Sequence, residues 1–415
     1  MYILQSMLGL AAFIAAAWLV SADRRAMPWK LTVTALLMQF GIAFVLLRFE
    51  PARTALYSLN NVVTAIETAT MKGSGFVFGF LGGATPSPYP VTAASATFVF
   101  AFRILPQILV FSVLVAVLWH WRVLGLVVRG LSFGLRKTLG VGGAEGLAAA
   151  SNIFLGMVEA PLMIRAYLIN MSRAELFSVM TCGMSTVAGS VMILYANVLS
   201  GIIDNPLGQV LAASVMAVPA SILISRVMHP SINTGATVDV ADGPVYASTM
   251  DAITRGTGDG LRLVANVGAM LIVLVALVAL VNGMLSTLPN VAGAPISLER
   301  VLGLLFSPIA WLMGIPWNEC LQAGSLLGTK LVLNELVAFI NMAAMGPDAF
   351  VERTDVVLTY ALCGFANFGS LGIMLGGLSS IVPERRDDIL KLAPWSLYSG
   401  TLASLMTGAV VNIVY

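Results

Sequence analysis

Charge is scarce in this sequence. Only 10% of its 415 residues are Asp, Glu, Lys or Arg, where a soluble domain carries about a quarter. That deficit excludes an ordinary water-exposed globule. Cysteine is nearly missing too. Cys182, Cys320 and Cys363 are odd in number, sit in apolar contexts and show no CxxC spacing, which argues against a disulfide frame and a zinc site and makes them small buried hydrophobes. The two histidines, His120 and His229, lie beside loop ends, so a histidine-based metal site is not expected. A net charge of +2, spread over several short loops, offers no nucleic-acid surface.

What the chain has is apolar length: 58% of its residues are hydrophobic. Runs of 18 or more apolar residues recur from end to end, and about 20 cross a hydrocarbon core of about 30 Å. Spans are expected near 2–21, 28–47, 102–120, 174–200, 206–228, 260–285, 355–380 and 393–415, which makes this an all-α polytopic membrane protein of eight crossings. The first apolar segment has its basic flank, Arg24 and Arg25, after it, so it reads as a first transmembrane helix rather than a cleaved signal peptide. Lys and Arg set orientation: Arg24, Arg25 and Lys30 follow the first span, Arg122, Arg129, Arg136 and Lys137 the third, and Arg385, Arg386 and Lys391 the seventh. The opposite loops near 201–205 and 286–295 contain neither residue type, so both termini are expected to face away from the cytoplasm.

Two regions, 141–170 and 297–343, do not fit simple spans. Their helical pieces are too short to cross and are split by Gly, Pro and polar residues. They read as re-entrant hairpins, in which non-helical backbone at depth is covered by protein or lines a cavity. Residues 49–72 and 122–138 read as amphipathic interfacial helices. Each hairpin carries a glutamate, Glu159 or Glu335, and each is followed by a span broken by small residues and hydroxyls, MTCGMSTVAGSVMILY and YALCGFANFGSLGIML. The two halves open from opposite sides. Such an inverted repeat with discontinuous helices points to a transporter's substrate site.

A glutamate at membrane depth costs about 2.5–3.5 kcal/mol on insertion scales and so faces an interior or a cavity. The bland alternative is a satisfied ion pair, Glu159 with Arg165 or Glu335 with Lys330. Asn152 and Thr186 are oxygen donors suited, with freed backbone carbonyls, to a hard monovalent cation; equally they serve helix-helix hydrogen bonds. Asn367 and Ser370 lie three apart and share a helical face, with Phe365 close by. Of the glycine-rich stretches, GVGGAEG at 140–146 lacks a GKS or GKT ending and a preceding strand, and GSGFVFGFLGG at 73–83 reads as close packing. No Ser, His and Asp set occurs at depth, and a carboxylate hydrolase would want its two acids close around a water. The chain is therefore read as a transporter and not an enzyme.

The runs AAASNIFLGMVEAPLMIRAYL, STVAGSVMILYA, GSLLGTKLVLNELVAF and ALCGFANFGSLGIMLGGLSSIVPERRDD closely resemble the signature segments of the concentrative nucleoside transporters. The resemblance follows the whole chain in hydropathy order and is strongest from residue 140 onward. It implies a sodium-coupled nucleoside symporter of the bacterial inner membrane with no cofactor. It further implies a homotrimer, each protomer a scaffold around a mobile, elevator-like transport domain. On that plan residues 1–121 hold the first three scaffold spans and an interfacial helix. Residues 122–230 hold the first transport repeat, 231–290 the sixth span of the scaffold, and 291–415 the second transport repeat.

Carried over position by position, the family's base-contacting residues fall on Met157, Val158 and Glu159, with Val191 in the fourth span. The ribose-contacting ones fall on Glu335, Asn367 and Ser370, with Phe365 beside sugar or base. The sodium site falls on the side chains of Asn152 and Thr186 and the carbonyls of Leu155 and Val187. Many relatives have Gln-Thr or Gln-Ser where this chain has Met157-Val158. A thioether and an isopropyl group give a pyrimidine edge no polar partner. Gly156-Met157 and Thr186-Val187 look similar to purine-preferring members, so purine nucleosides are expected. Proton coupling, or a gate-type hairpin protein moving another solute, is the alternative.

Overall fold

The computed structural model describes residues 2–85, 99–230, 246–290, 293 and 295–415. The expected domain boundaries at 231 and 291 lie outside them. Seven described stretches are long and apolar enough to cross a membrane: Tyr2–Leu19, Trp29–Arg48, Phe100–His120, Arg173–Val198, Pro206–Met228, Thr249–Leu285 and Pro383–Val414. The eighth expected crossing, 355–380, is present as two shorter helices separated by an extended link.

The amino-terminal part comprises α1 (Tyr2–Leu19), α2 (Trp29–Arg48), α3 (Glu50–Phe78), the single turn α4 (Phe100–Arg103), α5 (Leu105–His120) and α6 (Val123–Leu139). The stretch GSGFVFGFLGG is the end of α3 and a 3-10 turn. The first irregular region folds as α7 (Gly143–Ser151), a turn, α8 (Glu159–Met163) and α9 (Arg165–Leu168). The fourth span is α10 (Arg173–Ser185) and α11 (Gly189–Val198), the fifth is α12 (Pro206–Met228) and the sixth is α13 (Thr249–Leu285). The second irregular region is α14 (Leu298–Leu312), α15 (Cys320–Val332) and α16 (Glu335–Met345). The broken seventh span is α17 (Glu352–Leu362) and α18 (Phe368–Ile381), and α19 (Arg386–Val414) closes the chain.

Local sequence explains where these helices start. Ser172 accepts from the Glu175 N–H while the Glu175 side chain accepts from the Ser172 N–H, a reciprocal cap that fixes the entry to α10. Asn205, Ser248, Ser297, Asn334 and Asn367 cap α12, α13, α14, α16 and α18 with their side-chain oxygens. The arms of the irregular regions are short. At about 1.5 Å per residue the 13 residues of α15 reach about 20 Å, well under a hydrocarbon core. The second arm of the first region is shorter than a single helix would be, because the backbone breaks again at Ile164.

Burial separates an inside from an outside. In the most apolar windows 94% of Arg173–Val198 is buried, against none of Thr249–Leu285. The broken α10–α11 pair and α17 are thus sheathed by protein, as backbone with unpaired polar groups must be, while α13 presents apolar side chains outward. Its Gly256 and Gly260 let the α5 backbone approach so closely that a Cβ on either would lie 3.0 Å from a Cα of α5. That is the small-xxx-small way of pairing membrane helices. Buried polar bonds tie α1 and α2 elsewhere. The Gln5 amide donates to Trp311 O at 2.6 Å, and the Gln39 amide donates to Met216 O at 3.3 Å and to Thr407 Oγ1 at 3.1 Å.

Candidate functional site

The break between α10 and α11 and the break between α17 and α18 touch. Thr186 ends α10 with its N–H on Cys182 O, and Cys363 ends α17 with its N–H on Thr359 O; both are extended. The Phe365 N–H donates across to Thr186 O at 3.3 Å. Gly364, at φ +139°, packs against Ser185 O so closely that no side chain fits there.

On one side of this junction stands Glu335. It is the first residue of α16, only 5% exposed, at the point where the N-terminus of α16 meets that of α18. Helix N-termini favour a carboxylate. The Tyr195 hydroxyl donates to Glu335 Oε1 at 2.5 Å and the Asn367 amide donates to Oε2 at 2.8 Å. Asn367 in turn accepts the Ser370 N–H on Oδ1 at 2.7 Å. The three-residue spacing of Asn367 and Ser370 is therefore a helix cap. It leaves the amide N–H of Asn367, rather than its carbonyl, aimed at Glu335. Lys330 does not pair with Glu335; its ammonium donates to Ala361 O at 2.8 Å.

On the other side is the turn between α7 and α8. Asn152 follows the last residue of α7 and is fully buried, yet neither atom of its amide has a hydrogen-bond partner among the described residues. The hydroxyl of the neighbouring Ser151 is equally buried and unpartnered. The turn is pinned to the broken span by the Gly189 N–H, which donates to Phe154 O at 3.0 Å. Thr186 uses its hydroxyl hydrogen on Cys182 O at 2.8 Å, which leaves that oxygen free to accept or ligate. The Val187 N–H donates to Ser214 Oγ at 3.3 Å, and Leu155 lies in the same turn as Asn152. Buried amide, hydroxyl and carbonyl oxygens without donors fit a hard monovalent cation. Among the described residues no cluster of three or more His, Cys, Asp or Glu competes for that role.

The remaining candidates divide. Glu159 opens α8 and is exposed, with its carboxylate folded back over Gly156. No ion pair joins it to Arg165 among the described residues. Met157 is buried against Gly183 of α10, and Val158 is half-buried against Gly377 of α18. Val191 is buried in α11, and Phe365 is half-buried at the junction. Sequence reasoning missed Tyr195. It lies four residues after Val191 and so on the same helix face, which was the available signal. It also missed the buried ion pair of Glu145 with Arg226, 2.5 Å long, which locks α7 to α12.

Comparison with known proteins decides what this geometry belongs to. Family models described as Na+ dependent nucleoside transporter N-terminus and C-terminus match residues 8–81 and 209–412, and one described as Gate, nucleoside recognition, matches 101–201. The nucleoside permease NupC of Helicobacter pylori is 34% identical, over 98% of this chain and 97% of its own length. The chain belongs to the Na+-dependent nucleoside transporter family. An uncharacterized transporter, YutK of Bacillus subtilis, is 39% identical over the full length of both chains. Rat sodium/nucleoside cotransporter 1 is 33% identical over 99% of this chain and 64% of its own. A structure of CNTnw in an inward-facing substrate-bound state superposes with a TM-score of 0.91 at 35% identity, covering 100% of this chain and 98% of that one. This transporter is thus an integral membrane protein of a family that moves nucleosides with sodium as coupling ion, and family membership points to transport rather than catalysis.

Proposed function

We propose that the chain is a sodium-driven nucleoside symporter in which the junction of the two broken spans couples ion to substrate. The observation that carries this is a contrast within one contact. A buried, hydrogen-bonded carboxylate, Glu335, lies on one side of the Thr186–Phe365 bond, and an unpartnered amide, Asn152, lies on the other. Asn152 and Thr186 side chains with the Leu155 and Val187 carbonyls would take sodium. Glu335, Asn367 and Ser370 would take the ribose, with Phe365 beside it, and Met157, Val158, Glu159 and Val191 would line the base. Sodium orders the turn that carries Glu159, and nucleoside orders the link that carries Phe365. Each therefore raises the other's affinity, a reciprocal linkage.

Purine nucleosides are the preferred cargo, because positions 157 and 158 give a pyrimidine edge no polar partner. The short-armed helix pairs would be re-entrant hairpins of an inverted repeat, moving as an elevator-like body. The packing favours α5 and α13 as the static frame. The first three spans and the sixth were expected in that role. We assign α1 and α2 to the moving body instead, since buried bonds hold them to α12, α14 and α19. A homotrimer in a bacterial inner membrane, with periplasmic termini, rests on the resemblance and on the loop charges.

Uptake of labelled adenosine and uridine into proteoliposomes, with choline replacing sodium at fixed pH, tests the reading. Adenosine uptake that collapses in choline is the expected result. Undiminished uptake in choline would mean proton coupling, and faster uptake of uridine than adenosine would overturn the purine preference. Absence of uptake of either nucleoside would leave a hairpin transporter of another solute.

A further inference from the structure

The two repeats answer the same electrostatic problem differently. Each has a half-helix, α10 or α17, that stops inside the protein, leaving its last carbonyls without helical partners and the negative end of its dipole buried. Each has a first hairpin arm, α7 or α15, whose end reaches that stop. In the first repeat the arm brings Asn152 and Ser151, both fully buried and both unpartnered among the described residues. In the second it brings Lys330, two residues before the end of α15 and 3% exposed, with its ammonium donating to Ala361 O at 2.8 Å in the last turn of α17.

We propose that Lys330 is a tethered cation: its ammonium holds the broken end of α17 as the coupling ion holds the broken end of α10, so that one sodium accompanies each nucleoside. This rests on the symport reading above and deepens it. A buried ammonium with no counter-charge is strongly unfavourable. Lys330 finds its compensation in the carbonyl end of α17, with the Glu335 carboxylate five residues on along the chain. With the carbonyl end of α17 already held by Lys330, a nucleoside, itself neutral, enters the second repeat without a second ion. The first repeat has no such lysine at its break and must borrow its cation from solution. Lys330 is a positioning residue, acting on nucleoside through Glu335 and the α17–α18 link.

The test is adenosine binding by titration calorimetry on the purified full-length protein, across a sodium series with choline holding ionic strength constant. Below sodium saturation, the slope of log affinity against log sodium counts the ions taken up with the nucleoside. Wild type should give a slope of one. Lys330→Gln should bind adenosine about tenfold more weakly at low sodium, with a slope rising towards two as a second sodium enters the vacated place. Lys330→Arg, which keeps the charge, should keep a slope of one. A slope of one in Lys330→Gln, whatever its affinity, would overturn the proposal by reducing Lys330 to packing. If Lys330→Gln does not fold, wild type still decides: a slope of two would mean that an ion, not Lys330, serves the second repeat. Wild type that binds no nucleoside at any sodium concentration would instead sink the symport reading itself.

Discussion

The turn after α7 and the turn before α16 are counterparts that differ in completeness. Around Glu335 the polar groups already have partners: Tyr195 and Asn367 on the carboxylate, Ser370 on Asn367, Ala361 on Lys330. Around Asn152 they have none among the described residues. A satisfied network is preorganised and rigid, whereas a buried unsatisfied group costs about 1–3 kcal/mol until something binds it. On the proposed reading the Glu335 side is built to receive a ligand, and the Asn152 side to change when one arrives. An ion-dependent transporter needs both kinds of site, because a network already complete without sodium has no means of sensing it.

Breaking the complete side should have the largest effect. Glu335→Ala strands the Tyr195 hydroxyl and the Asn367 amide and removes the proposed ribose acceptor. Two charge-assisted hydrogen bonds at about 1.5–3 kcal/mol each put the loss of adenosine affinity at about 100-fold or more. Calorimetry with adenosine and 2′,3′-dideoxyadenosine checks the assignment, since the variant should no longer distinguish them. Retained discrimination would move the ribose contact elsewhere. The incomplete side should respond in the opposite sense. Asn152→Leu, nearly isosteric, removes an unpartnered buried amide, so melting temperature in sodium-free buffer should hold or rise. The rise that sodium gives wild type should vanish, and half-saturating sodium for uptake should climb about tenfold or more. A large loss of stability without sodium would show that Asn152 has a structural partner after all.

Two smaller changes sharpen the comparison. Tyr195→Phe deletes one bond to Glu335 and should weaken adenosine binding by about tenfold, as one charge-assisted bond does, while leaving the sodium dependence of uptake intact. An altered sodium dependence instead would mean that the two sides share their polar network. Met157→Gln introduces the amide that a pyrimidine edge needs. The uridine to adenosine ratio of uptake should rise by about tenfold or less, because Met157 packs on Gly183 and the turn between α7 and α8 must adjust to present a new group. An unchanged ratio would remove Met157 from the base site.

The broken helices were legible because faults in an apolar run are conspicuous: Glu159, Pro161 and Glu335 have no place in a simple span. The chain's family was legible from NELVAF and CGFANFGSLGI. Local spacing failed where a partner lies far along the chain or in a helix cap. Lys330 lies five residues from Glu335 and invites pairing with it, but it reaches Ala361, 31 positions on. Asn367 and Ser370 read as two side chains on one face, whereas one caps the backbone of the other. Tyr195 went unread: its spacing from Val191 gives its helix face, but nothing in an apolar stretch marks which hydroxyl meets a carboxylate 140 residues away. The same limit applies to Gln5 and Gln39. They lie in apolar helices, and only the fold reveals which helices they bind.

The smallest expected effect concerns pH and the first repeat alone. His229, just past the end of α12, packs its ring edge-on to Phe177 of α10 at 4.6 Å. Burial, with Arg173 adding to it, holds its imidazole below the ordinary pKa of 6.5. A depressed folded-state pKa means that the unfolded chain takes up the proton first. His229 therefore contributes its full stability above about pH 6.5, and that contribution is lost as pH falls through the folded value. Melting temperature should drop between pH 7.5 and 5.5 in wild type and drop less in His229→Phe, which keeps the ring contact and cannot titrate. The sodium-induced rise in melting temperature should be the same in both proteins, because His229 lies at the loop end of α12, away from the Asn152 turn. If that rise also changed with pH and His229→Phe abolished the change, the ion site and the α10–α12 contact would be one cooperative unit, and the contrast between the repeats would extend to the membrane surface.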